Sequence, residues 1–281
     1  MKYILNSILS KAYWRYIFSL DGLKSILAIF GIIWLIIETL DFFQVYTRDK
    51  YGAYAFFIFI VISILISILL KRPIKSISIP FPELDFIIEV RIADLFDISG
   101  ATMISTNTVF EADVAGNKIA VDSLQGQFTA KYFTGNQIEL IKKINEELQQ
   151  LGSTSPFPFG TTIPIHTHGK TFYFTAMAEL GEGGNASSSI SEIQSALNGL
   201  WNYVRKKGEL IELAVPIIGT GRGRVKISRK KMIALIAESF MKATIQGKFS
   251  DKLIIAIRPE DAQNFGINLY DIKDHLNHVL K

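Results

Sequence analysis

Ala53–Leu70, AYAFFIFIVISILISILL, runs for eighteen residues without a charge, and no other stretch restricts the possible folds as sharply. As a helix rising ~1.5 Å per residue it spans about 27 Å, close to the roughly 30 Å of a hydrocarbon core. It reads as a transmembrane helix. Ser25–Leu40, SILAIFGIIWLIIETL, is slightly shorter and carries Glu38 near its end, and a buried soluble helix of that composition would be unusual. A second span is therefore expected, the two covering about 25–42 and 53–70. The competing view of the first is a cleavable signal peptide. The long preceding segment, the lack of an A-x-A site and the span that follows at once all oppose it.

Lys2, Lys11, Arg15 and Lys24 precede this hairpin and Lys71, Arg72 and Lys75 follow it, whereas Arg48 and Lys50 in the connection are offset by Asp41 and Asp49. The excess of basic residues at both ends places them in the cytoplasm. Tyr46, Tyr51 and Tyr54 then mark the outer interface. Residues 1–22 repeat apolar side chains at helical spacing with Lys2, Lys11 and Arg15 between them and Trp14 near the boundary. That is the pattern of an amphipathic helix in the membrane interface, or of one packed on a neighbouring subunit. Glu38 either snorkels to the outer interface or lines a pore in an oligomer, since an acid at a span's centre costs about 2.5–3.5 kcal/mol.

The chain has no cysteine, which excludes disulfides, thiolate-zinc sites and a cysteine nucleophile. Its net charge of +4 owes much to residues flanking the spans and does not argue for nucleic acid. Residues 73–84, with Pro73, Pro80 and Pro82, form an extended linker. The globular domain is expected over 85–281. Strands are predicted over Asp85–Asp97, Ala101–Asn107, Thr161–Ile165, Thr171–Ala178, Ile211–Ile218 and Lys252–Ile257, with a loop-rich stretch over Thr108–Gly126. Helices are predicted over Asn136–Leu151, Ile190–Lys207, Arg229–Thr244 and Tyr270–Lys281. Alternation of this kind gives an α/β fold with a mixed sheet.

Ala214–Arg224, AVPIIGTGRGR, is the strongest local signal. An apolar run ends at a glycine-rich turn, and Ser228 caps the helix that follows. Strand ends in such sheets expose N–H groups beside a helix's positive pole, a setting for phosphate. Gly219, Gly221 and Gly223 permit close backbone approach around Thr220. Six basic residues and no acid lie from Arg222 to Lys231, with Arg222 and Arg224 the ligand-facing pair and others the solvated start of the helix. No Lys-Ser/Thr follows at the spacing of a Walker A loop. His166 and His168 share a strand face in this scheme, but no further ligand accompanies them, so no metal site is expected.

In this order the domain resembles a macro domain, the module that binds ADP-ribose and its relatives. VRIADLF matches the acidic turn of that family, which implies that Asp94 meets the adenine amino group with Leu95 beside it. ATMISTNT offers Asn107 near the distal ribose, and PIIGTGRG matches the loop that wraps the diphosphate. The hydrolytic members carry a glycine run soon after the asparagine. Here TVFEADVAGNKIAVDSLQGQF has none, and Ser123, Gln125 and Gly126 stand as an alternative rim for the distal end of the ligand.

A two-span hairpin ahead of such a domain is similar to the membrane-anchored ThsA effectors of Thoeris anti-phage systems. The similarity implies a macro-like three-layer fold and a nucleotide-gated effector without catalysis. It implies no cofactor and, as ligand, an ADP-ribose derivative, a histidine conjugate, made by a TIR-domain enzyme that consumes NAD. Oligomerisation in the bacterial inner membrane, membrane disruption and cell death follow from the same similarity. The alternatives are a membrane-tethered ADP-ribosyl hydrolase, or a basic docking site at Arg222–Lys231 for nucleic acid or anionic lipid.

Overall fold

A computed structural model of the chain describes residues 2–9, 11–45, 52–180, 186–218, 225 and 227–280. It divides into two compact units, Met1–Ile74 with Gln263–Ile267, and Lys75–Ala262 with Asn268–Lys281.

The first unit is helical. Residues 1–22, expected as one amphipathic helix, contain α1 (Lys2–Leu9), α2 (Lys11–Ile17) and the start of α3 (Leu20–Phe42). Ser19 sets that start: its Oγ accepts from the Gly22 N–H at 3.2 Å, so α3 begins before the predicted span. Gly22 is required at this corner, because a Cβ there would lie 1.9 Å from the Ile17 carbonyl oxygen. Leu20–Phe42 is long and apolar enough to cross a membrane. Helix α4 (Gly52–Leu70) carries a shorter apolar stretch over Tyr54–Leu70 and packs on α3, Phe30 meeting Phe56 edge-on at 5.6 Å. Tyr46, Arg48, Lys50 and Tyr51 lie outside the described residues.

The second unit is an α/β sandwich. Its strands are β1 (Ser76–Phe81), β2 (Phe86–Ile92), β3 (Ala101–Asn107), β4 (Thr162–Thr167), β5 (Lys170–Leu180), β6 (Ala186–Ser187), β7 (Leu213–Pro216) and β8 (Lys252–Ile257). Seven run in the order β1-β2-β8-β7-β3-β5-β4, and the short β6 pairs with β5. The central strands β2, β8, β7, β3 and β5 are mutually parallel, and β1 and β4 close the sheet antiparallel. Each closing strand contains a proline, Pro80 in β1 and Pro164 in β4, where a missing N–H is tolerated.

Helices α5 (Leu124–Tyr132) and α6 (Gln137–Gln149) cover one face, where Phe128, Leu140 and Ile144 join Ile104, Phe172, Phe174, Ala214 and Ile254 in one buried cluster. Helices α7 (Ile190–Lys207) and α8 (Arg229–Ile245) cover the other. Phe240 of α8 meets Phe86 of β2 at 5.4 Å and Trp201 of α7 at 5.5 Å. The central strands are largely buried on both faces, as the apolar runs of parallel strands require, while Glu89, Arg91 and Lys252 form a partly exposed ion-paired patch on β2 and β8. The chain ends with α9 (Pro259–Asn264) and α10 (Leu269–Val279).

Three expectations are corrected. The predicted linker contains β1, whose Ile77 and Ile79 alternate into the core, so the sheet begins before Asp85. The predicted loop over Thr108–Gly126 ends in α5, capped by Ser123. His168 is not on a strand face with His166: it sits in the β4–β5 turn at φ +49°.

Candidate functional site

Because β2, β8, β7, β3 and β5 are parallel, all their carboxyl ends open on one edge of the sheet. The ladder between β3 and β7 is short. Only Ala101↔Leu213 and Thr102↔Ala214 pair, whereas β3 stays paired with β5 as far as Asn107. Strand β3 leads to α5 on one face and β7 leads to α8 on the other. Adjacent parallel strands whose connections leave to opposite faces make the crevice in which such sheets take ligands.

Asp94 follows β2 at this edge, exposed, and starts a 3-10 turn over Leu95–Asp97. Its Oδ1 accepts from the Phe96 N–H at 3.0 Å, and its Oδ2 makes no hydrogen bond among the described residues. Leu95 is buried, so its side chain belongs to the core. Lys170 holds the turn from below, donating to the carbonyls of Phe96 at 2.9 Å and Ile98 at 3.1 Å.

Asn107 closes β3 at a register shift and is buried. Its Oδ1 accepts from the N–H groups of Val109 at 3.2 Å and Glu111 at 3.0 Å, and its Nδ2 donates to the Glu111 carbonyl at 3.2 Å. Gln125 is equally buried: its Nε2 donates to that same carbonyl at 2.9 Å and its Oε1 accepts from Thr106 Oγ1 at 3.0 Å. Ser123 Oγ accepts from the Gly126 N–H at 3.0 Å and donates to the Ala120 carbonyl at 2.6 Å. Gly126 lets that carbonyl approach, since a Cβ would lie 2.3 Å from it. All four residues thus brace the segment between β3 and α5.

Glu111, Gln137 and Lys170 were not singled out from sequence, and nothing in their spacing marks them. Glu111 Oε1 accepts from the N–H groups of Ala112 and Asp113, each at 3.0 Å, and Lys118 pairs with Oε2 at 3.1 Å. Burial pushes the Glu111 carboxyl up, but the Asp113 N–H, Lys118 and the Ala112 N–H outweigh it and hold it below the ordinary value. Gln137 of α6 donates to the Ala112 carbonyl at 2.9 Å and accepts from the Ala115 N–H at 3.1 Å.

Strand β7 ends at Pro216, and Ile217 donates to the Ala256 carbonyl at 3.3 Å. Gly219, Thr220, Gly221, Arg222, Gly223 and Arg224 lie outside the described residues. Helix α8 starts beyond them, its N-cap Ser228 accepting from the Lys231 N–H at 3.3 Å, with Arg229, Lys230 and Lys231 and no acid in its first turn. Among the described residues no three His, Asp or Glu side chains gather as a metal site. His166 Nδ1 lies 3.1 Å from Thr171 Oγ1, and His168 lies beside Tyr132.

The family model described as Thoeris protein ThsA, macro domain, matches residues 88–258, from β2 through β8. The chain belongs to the ThsA macro-domain family. ThsA of Bacillus amyloliquefaciens strain Y2 is 22% identical over 200 residues, which cover 66% of this chain and 67% of that protein. The Oceanobacillus iheyensis macrodomain with MES bound superimposes with a TM-score of 0.51 at 13% identity, covering 73% of this chain and 97% of that one. The same macrodomain with ADP gives 0.50 at 12% identity, covering 73% and 96%. At such identities the superpositions establish a macro-like fold. Membership in the ThsA family places the chain in Thoeris anti-phage defence, with a domain of the kind that binds ADP-ribose-related ligands.

Proposed function

We propose that this ThsA-family chain is a nucleotide-gated membrane effector rather than an enzyme. Its macro domain takes an ADP-ribose derivative, a histidine conjugate, made by a TIR-domain enzyme from NAD. The early end of the β3–β7 ladder carries this proposal, because it opens a crevice at the carboxyl edge between the ends of β3 and β7, with Asp94 on the far side of β8. Asp94 Oδ2 accepts from the adenine amino group, with the backbone of Leu95 beside it. Gly219–Arg224 wraps the diphosphate. The segment braced by Asn107, Ser123, Gln125 and Gly126 walls the distal end. A nucleotide-bearing relative in fold, the macrodomain with ADP, supports the ligand class.

The membrane part is α3 and α4, read as a two-span hairpin in the bacterial inner membrane with both termini cytoplasmic. Ligand binding favours an oligomeric state in which hairpins from several copies breach the bilayer and kill the cell. A ligand can drive that change only through higher affinity for the assembled state. The test is dye release from liposomes carrying the full chain, with ADP-ribose and its histidine adduct added separately, and with Gly221→Glu as the control. Release is expected with the adduct and is abolished by the substitution, through clash and charge repulsion. Release without nucleotide, or none with either, overturns the proposal.

A further inference from the structure

The ring of Phe110 is buried against Phe157 at 5.5 Å while its backbone sits at φ +53°, a region that side chains rarely adopt. Such a conformation persists only where the surroundings over-determine it. Here they do. Phe110 N–H donates to the Asn107 carbonyl at 3.1 Å, and both backbone polar groups of Glu111 are clamped, the N–H by Asn107 and the carbonyl by Asn107 and Gln125 together. Gln137 fixes the next peptide from α6.

We infer that Asn107 and Gln125 are positioning residues whose buried amides hold Val109–Asp113 as a preset wall of the crevice before any ligand arrives. This rests on the nucleotide reading above and departs from it in one respect: Asn107 acts through the segment instead of touching the distal ribose. An asparagine side chain has four hydrogen-bonding positions, and three are spent within the segment. Gln125 is 3% exposed and both ends of its amide are engaged, so it has no surface to offer a ligand. A wall built in advance lowers the ordering cost of binding.

The experiment uses the full chain in detergent micelles, ADP-ribose as the probe, and the variants Gln125→Met, Asn107→Ala and Asn107→Asp. Hydrogen exchange over Val109–Asp113 is followed without ligand, with β5 as internal control for folding. Gln125→Met and Asn107→Ala are expected to speed exchange in that segment alone and to weaken ADP-ribose about tenfold. Asn107→Asp keeps the acceptor oxygen Oδ1 but sets a second oxygen against the Glu111 carbonyl in place of the Nδ2 donor, and is expected to speed exchange and weaken ADP-ribose as Asn107→Ala does. Unchanged exchange and affinity in Gln125→Met overturn the inference, as does faster exchange with full affinity. If the unaltered chain binds no ADP-ribose, the proposed ligand class falls, and the exchange arm still decides whether the wall is preset.

Discussion

The Lys170 ammonium, at the start of β5, lies 2.9 Å from the carbonyl oxygen of Phe96, in the turn that begins at Asp94. One side chain from the opposite end of a parallel strand therefore fixes the turn that presents the proposed adenine contact. Lys170→Met keeps the apolar stem and removes the donors. It is expected to cost about 2 kcal/mol of stability, since hydrogen bonds from a charged group contribute roughly 1.5–3 kcal/mol. Affinity for ADP-ribose should fall while exchange over Val109–Asp113 stays slow, both measurable on the same sample.

Glu89 is buried on β2, gripped by Arg91 at 2.6 and 2.9 Å and by Lys252 at 2.7 Å. Burial pushes its carboxyl up, and the hydrogen bonds and charges of Arg91 and Lys252 more than reverse this, leaving it below the ordinary value. A carboxyl depressed on folding stabilises the protein above its unfolded pKa, and that contribution disappears as pH falls through the folded one. Glu89→Gln is thus expected to lose about 2 kcal/mol at neutral pH and to flatten the acid side of the stability profile below roughly pH 4.5. Melting curves from pH 7 to pH 3 check it.

Phe128 is completely buried on α5, with Phe172 at 4.8 Å and Phe174 at 5.0 Å. Phe128→Ala is expected to cost about 3–5 kcal/mol. Such a loss consumes much of a typical domain's stability. Chemical denaturation should show a large fall in the midpoint, and Phe128→Leu a much smaller one.

Leu20–Phe42 exposes Leu23, Leu27, Ile32, Leu35 and Ile36, the apolar surface that the proposed membrane span would turn to lipid. The full chain is expected to stay in the membrane pellet through high salt and alkaline carbonate and to enter solution with detergent. Recovery in the carbonate supernatant would defeat the membrane assignment.

Where a single local pattern dictated structure, the sequence was readable. Lys252–Ile257 is apolar and β-branched with Gly247 before it, and Ser189 with Glu192 makes a capping box that opens α7 at Ile190. Asp94 was legible just past a strand, and so was the strand that ends at Pro216. Strand β1 was not, because its serines and proline resemble a linker and only pairing with β2 makes it a strand. Helix α5 was hidden by a glycine and two glutamines, one of which points inward to bind backbone. The role of Asn107 depends on bonds to Glu111, and no spacing rule foretells them.

Pro80 and Pro164 occupy the two outer strands of the sheet. An incoming chain cannot zip along either margin in an unbroken ladder, so open-ended fibre growth by strand addition is disfavoured from both sides. If copies gather around a nucleotide as proposed, helices or loops are the better-suited contacts, of a kind that can form closed rings and come apart when the signal is gone.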